Sequence, residues 1–260
     1  MKTCYFTATG NSLYVARRIG GELLSIPKLM REGKIEIKDD VVGIVCPIYG
    51  GQMPKMVRAF MDKAKIEAGY VFFVYTYGTS YSVAKANAAL AAGETKLSLD
   101  YVNAIRMVDN YLPGFEMKHQ IETAGEKHIE EQIDKACRDI SGRVVNVGGV
   151  GPVKKAGLSV VNGLIKGSIL KDKTARKYRV SDACTRCGLC ARVCPADNIT
   201  VDSKVRFGDK CEVCYACLHI CPKNAIHLRF ERSSARFRNE HVSVKDIIAA
   251  NERPETDSGR

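Results

Sequence analysis

No stretch of this sequence stays apolar long enough to cross a bilayer. The longest strongly apolar runs, residues 41–48 and 70–77, fall far short of the ~20 residues a spanning helix needs. Nor does a leader pattern open the chain: Met1-Lys2-Thr3-Cys4 runs straight into the signature of a strand. The protein is therefore expected not to span a membrane and to work in the cytoplasm, where thiols stay reduced. Acidic residues are in deficit, 29 Asp and Glu against 40 Lys and Arg, which leaves a formal charge of +11. That excess points to an acidic partner or surface. It does not point to nucleic acid, because no helix-turn-helix or RNA-binding signature accompanies it. The first strand–helix turn lacks the G-x-G-x-x-G fingerprint. No Lys or Arg stands between Thr3 and Ala16 either, which excludes a Walker A loop. Direct nicotinamide oxidation is thus not indicated, and no evident acid–base pair marks a catalytic centre.

Cysteine is present in quantity and in one place. Eight of the eleven cysteines lie between 184 and 221. They read Cys184-x₂-Cys187-x₂-Cys190-x₃-Cys194-Pro195 and then Cys211-x₂-Cys214-x₂-Cys217-x₃-Cys221-Pro222. Each cysteine of the first run has a counterpart 27 residues on, and Pro195/Pro222 and Ile199/Ile226 keep that offset. One small unit is used twice. The spacing is that of a bacterial two-cluster ferredoxin, in which three thiolates wrap one cluster and the fourth cysteine, beside Pro, ligates the other. Two [4Fe–4S] clusters follow, one on Cys184, Cys187, Cys190 and Cys221, the other on Cys211, Cys214, Cys217 and Cys194. Zinc also takes thiolate pairs, but has no need of four in one run, repeated. A disulfide framework needs an oxidising compartment.

Residues 1–147 alternate between strand and helix patterns. Strands are expected at 2–6, 23–26, 41–46, 70–76 and 101–108. The run at 41–46 is unbroken and apolar, as in a strand buried on both faces. Helical spacing links Leu13, Ala16, Ile19 and Leu23, then Val57, Phe60, Met61 and Ala64 behind Pro54. An alanine-rich helix is expected at 83–92. Another is expected from Ile129, Ile133, Ala136 and Ile140. Five strands with interleaved helices make an α/β fold with a doubly wound parallel sheet, order 2-1-3-4-5. Cys4, Cys46 and Cys137 are expected to be buried core thiols.

The first turn reads Thr7-Ala8-Thr9-Gly10-Asn11-Ser12. Free N–H groups at a helix start, with hydroxyls from Thr7, Thr9 and Ser12, favour an anion without a counter-cation. T-x-T-G-N-S between a strand and a helix resembles the flavodoxin loop for the FMN phosphate. In a 2-1-3-4-5 sheet the ligand lies over the carboxyl ends of strands 1 and 3. The loop Pro47-Ile48-Tyr49-Gly50-Gly51 leaves the third strand, and Tyr77-Gly78-Thr79-Ser80-Tyr81 the fourth. Tyr49 is a candidate ring-stacking partner, as is either Tyr77 or Tyr81. With no Trp, the Trp-flanked arrangement of some flavodoxins is not available. Asn110-Tyr111-Leu112-Pro113 follows the fifth strand and either borders the site or forms a plain turn.

Gly148, Gly149, Gly151 and Pro152 mark a boundary. Residues 148–179 are expected to form a basic connector, its stretch 153–179 carrying a net +7. Residues 180–232 form the small α+β ferredoxin domain, and 233–260 a basic tail with a closing helix near 242–249. Over nearly its whole length the chain resembles fused flavodoxin–ferredoxin proteins, electron carriers of anaerobic bacteria and archaea. The resemblance implies two [4Fe–4S] clusters and FMN relaying electrons between external redox proteins, among them an acidic ferredoxin or flavodoxin. A flavin-dependent reductase with the ferredoxin domain as electron inlet is the alternative.

Overall fold

The structure is a computed structural model and describes residues 1–49, 52–79, 97–148, 175 and 177–253. The expected helix at 83–92 and the connector from 151 to 174 lie outside these.

The central sheet holds five parallel strands: β1 (Lys2–Tyr5), β2 (Glu22–Ser25), β4 (Val41–Pro47), β6 (Tyr70–Tyr77) and β7 (Tyr101–Arg106). Their order is β2-β1-β4-β6-β7, the expected 2-1-3-4-5 arrangement. β4 and β6 are buried along most or all of their length, because helices cover both faces of a doubly wound sheet. Gly43 on β4 pairs with Phe72 on β6. A Cβ there would stand 1.9 Å from the Phe72 ring, so the missing side chain is what lets that ring lie across the strand.

Two cores flank the sheet. One holds Phe6, Ile44, Phe60, Phe73 and Tyr75. It takes in α3 (Lys55–Lys63), whose N-cap is Pro54 as its position implied. The other joins α1 (Asn11–Ile19) to Val45, Phe72 and Tyr101, and reaches Ile133 and Ala136 on a helix at Ile129–Ser141. That helix is α5, after α4 (Met117–Glu122).

Three expectations need correction. Leu23 continues the periodicity of α1 in sequence, yet the helix stops at Ile19 and Leu23 lies in β2, as the strand expected at 23–26 implied. Gly20 and Gly21, both at positive φ, make the reversal that periodicity cannot register. Ile26 is not strand but the start of α2 (Ile26–Glu32), with Ser25 capping it and Pro27 in its first turn. Cys137 is only partly buried, whereas Cys4 and Cys46 are fully enclosed. The sequence reading also missed a small parallel pair, β3 (Glu36–Lys38) with β5 (Lys65–Glu67).

The cysteine-rich region is built on two antiparallel pairs. β8 (Arg179–Val180) pairs with β11 (Ile226–His227), and β9 (Ile199–Val201) with β10 (Val205–Phe207). Two one-turn helices, α6 (Leu189–Arg192) and α7 (Ala216–His219), stand 27 residues apart. The closing helix, α8 (Val244–Asn251), starts in a capping box between Ser243 and Asp246. With Val242 just before it, the helix packs Ile247 and Ile248 into the α1 side of the sheet core, beside Cys214 and Ile220. The tail thus joins the two regions into one packed body.

Candidate cofactor sites

The repeat found among the cysteines extends to the backbone. Arg186, Gly188 and Asp197 take positive φ, and so do their counterparts Val213, Tyr215 and Asn224, each 27 residues later. A β-branched residue at φ 55, as at Val213, is held there only by strong surrounding constraint. These left-handed residues reverse the chain between cysteines and turn successive thiols toward one space.

The structure gathers Cys184, Cys187, Cys190 and Cys221 round one recess. It gathers Cys194, Cys211, Cys214 and Cys217 round another. In each quartet the fourth cysteine comes from the other run. Among the described residues no three His, Cys, Asp or Glu side chains stand close enough to hold a single ion. Backbone N–H groups point at the sulfurs: Asn198 to Cys194, Val213 to Cys211 and Ala225 to Cys221, each at 3.3 Å. Burial pushes the Cys190 and Cys194 thiols up to about 11 and those of Cys214 and Cys217 well above their usual value. Thiolates in such surroundings need the positive charge of a metal centre. Donors and electrostatics both fit iron–sulfur clusters.

The two quartets differ in exposure. Cys187 is exposed and its three companions are partly so, whereas Cys214 and Cys217 are buried. The second recess is walled by Tyr178, Phe207 and Tyr215. Tyr178 stacks edge-on to Phe207, and its hydroxyl lies 3.9 Å from the Cys211 sulfur. Cys214 packs in one core with Ala8 and Leu13 of the first domain. The second site is therefore the inner one, facing the carboxyl edge of the sheet.

At that edge the first loop is enclosed. Thr7, Thr9 and Ser12 are each at most 2 % exposed. Gly10 caps α1 at φ 103 with no side-chain cap, so the first N–H groups of the helix have no intrahelical acceptor. The Thr7 hydroxyl is buried with no partner. Thr9 Oγ1 accepts from Asn110 Nδ2 at 2.9 Å, and its own proton remains free to donate. Ser12 shares a 2.8 Å hydrogen bond with Thr76, and Asn11 donates to the Val108 carbonyl. Open N–H groups, an unpartnered hydroxyl and a free hydroxyl proton suit a phosphate. Gly10 has a second reason to be glycine. A Cβ there would stand 2.9 Å from Val242 and 3.0 Å from Asn239.

The other candidates are placed as follows. Pro47 ends β4 and Thr76 faces Ser12. Tyr49 lies edge-on to Phe6, and its hydroxyl is buried without a partner. Burial, then Cys214 and Glu212, raise its pKa well above the usual tyrosine value. Tyr49 therefore reaches toward the inner cysteine site. Tyr77 is buried in the core on the α3 side of the sheet. Gly78 and Thr79 meet Asp109, which accepts from the Thr79 hydroxyl at 2.8 Å. Gly50, Gly51, Ser80 and Tyr81 lie outside the described residues. Asn110 does border the loop, through Thr9.

Four residues escaped sequence reasoning. Asn239 donates its N–H to the Thr9 carbonyl and its amide to Asn11. Asn251, fully buried, donates to the carbonyls of Thr7 and Val193. Arg31 forks onto Asp197 at 2.9 and 3.0 Å and reaches the Pro195 and Asn251 carbonyls. Glu212, between two cysteines of the inner site, accepts from the N–H groups of Lys55 and Met56 at the start of α3. None of the four carries a local sequence signal, since each partner lies far away along the chain.

Residues 176–222 match the 4Fe–4S dicluster domain family. The chain thus carries an iron–sulfur domain of electron-transfer type. No curated protein sequence matches it. Among solved structures, a candidate flavoprotein from Bacteroides eggerthii DSM 20697, determined at 1.40 Å, is 17 % identical with a TM-score of 0.27. The match covers 49 % of this chain and 97 % of that one. So loose a likeness has no bearing on what this chain binds. Among the described residues no helix is long and apolar enough to cross a membrane.

Proposed function

We propose that this chain is an electron-transfer protein of the fused flavodoxin–ferredoxin kind, relaying electrons between external redox proteins through two iron–sulfur sites and a flavin site. The outer site is held by Cys184, Cys187, Cys190 and Cys221, the inner one by Cys194, Cys211, Cys214 and Cys217. Thr7, Thr9, Gly10, Asn11 and Ser12 hold the FMN phosphate. Bound there, the clusters supply one-electron transfer and the flavin one- or two-electron storage.

The observation that carries this reading is the opposite exposure of the two quartets. Cys187 meets solvent, while Cys214 lies in one core with the first-loop residue Ala8. A route from the outside to the flavin loop therefore runs through the cysteine sites in order. The chain's residues do the rest. N–H groups on Cys194, Cys211 and Cys221 stabilise negative charge on sulfur. Tyr178, Phe207 and Tyr215 keep water from the inner site.

The test is anaerobic reconstitution with iron, sulfide and FMN, followed by metal and flavin analysis during stepwise reduction. Two clusters' worth of iron and sulfide with one flavin per chain is expected, both reducible. Protein that holds clusters yet binds no FMN would leave an iron–sulfur carrier without its flavin partner.

A further inference from the structure

The outer cysteine site opens onto a face the mechanism has not used. Two shallow grooves meet there and share Val180 and Ser181. The larger, of about 840 Å³, contains Cys184 and is rimmed by Arg186, Lys204 and Arg206. The smaller, of about 530 Å³, contains Arg179, His227 and the half-buried Glu231. Phe230, flanked by Arg229 and Arg232 just beyond β11, is 64 % exposed. It is the only aromatic among the large exposed hydrophobics of the described residues. All six cations are exposed, against two exposed acids, Asp182 and Asp202, of which Asp202 is paired with Arg206.

We propose that this face is the docking surface for an acidic one-electron redox protein, resting on the function proposed above. Arginine and exposed aromatic side chains are the residue types that anchor protein interfaces. A cationic rim round the solvent-facing cysteines brings an anionic partner to the point where electron exchange is shortest. The contact is small and transient, as redox encounters are. Charge acts chiefly on the rate of encounter, and salt screens it over about 10 Å at ~0.1 M. On this proposal the steering charge lies on the cluster face, and the basic connector is the competing source that the test separates.

The test uses the fully loaded protein and a reduced acidic plant-type ferredoxin as probe, mixed by stopped flow over a range of ionic strength. The triple variant Arg179→Glu, Lys204→Glu, Arg206→Glu should lower the second-order rate at low salt by about tenfold or more and flatten its salt dependence. Phe230→Ser should slow the reaction at every salt concentration. The matched reversal of Lys171, Lys173 and Lys177 in the connector should change it little. Cluster content and photoreduction by a small neutral deazaflavin should stay as in the parent in all variants. A parent rate insensitive to salt, or slowing by the connector reversal alone, overturns the docking face. Normal photoreduction in that case shows that the electron-transfer reading itself survives. Loss of photoreduction in the parent would remove that reading instead.

Discussion

His219 donates from Nε2 to the backbone carbonyl of Asn110 at 2.8 Å while its Nδ1 accepts the N–H of Phe237 at 3.1 Å. This fixes the tautomer and a neutral ring, in keeping with burial that lowers its pKa to about 4. One imidazole between Cys217 and Cys221 thereby ties the loop after β7 to the returning tail. Asn110 in turn holds Thr9 of the first loop. His219→Leu should strand two buried polar groups, at roughly 1–3 kcal/mol each. The thermal midpoint of the loaded protein should fall, with His219→Gln retaining part of the loss. An unchanged midpoint in His219→Leu would mean the link bears no load.

Crossed ligation gives a selective outcome. Cys194→Ala should damage the cluster at Cys211, Cys214 and Cys217 and spare the outer one. Cys221→Ala should do the reverse. Mössbauer and EPR spectra of the two variants separate the cases, and loss of the sequence-adjacent site in either would reverse the assignment.

Flavin binding should depend on the enclosed loop. Thr9→Ala removes a hydroxyl donor and should weaken FMN by roughly 1.5–3 kcal/mol, the range for a hydrogen bond to a charged group. Gly10→Val should be worse, since φ 103 and the contacts with Val242 and Asn239 both exclude a side chain. Titration with fluorescence quenching reads both. Equal affinities for all three proteins would place the phosphate elsewhere.

The tail's docking should weaken in acid. Asp246 accepts from Arg17 at 2.6 Å and from Ser243, and these hold its carboxyl well below the usual range. A depressed folded-state value means its contribution is complete above the unfolded value of about 4 and is lost as pH falls below it. The stability difference between the parent and Asp246→Asn should thus be constant above about pH 4 and shrink below it. A difference that does not change with pH would show that Asp246 titrates alike in the folded and unfolded states.

Much of the fold was readable because it rests on short-range patterns. Unbroken apolar runs gave β4 and β6, and periodicity gave the helix at Ile129–Ser141. The eight cysteines announced their grouping through an exact repeat in spacing. What escaped was set by contacts across the chain. Asn239, Asn251 and Arg31 are ordinary polar residues until the tail lies against the first loop. Leu23 misled because a helical spacing continues across Gly20 and Gly21. The nearness of Tyr49 to Cys214 and Glu212, which raise its pKa, had no sign in the sequence either.

The burial of Asn251 between the carbonyls of Thr7 and Val193 also sets an order of events during synthesis. The sheet is synthesised before the tail, with its first loop open on the side that Asn239, Val242 and α8 later cover. The cysteine region follows, and the residues that seal the loop are made after both. Maturation therefore offers a window in which the loop is accessible and the inner cysteine site is not yet walled in. Truncation before Asn251 should leave a protein that never closes that window, with both domains folded and its cofactors held loosely.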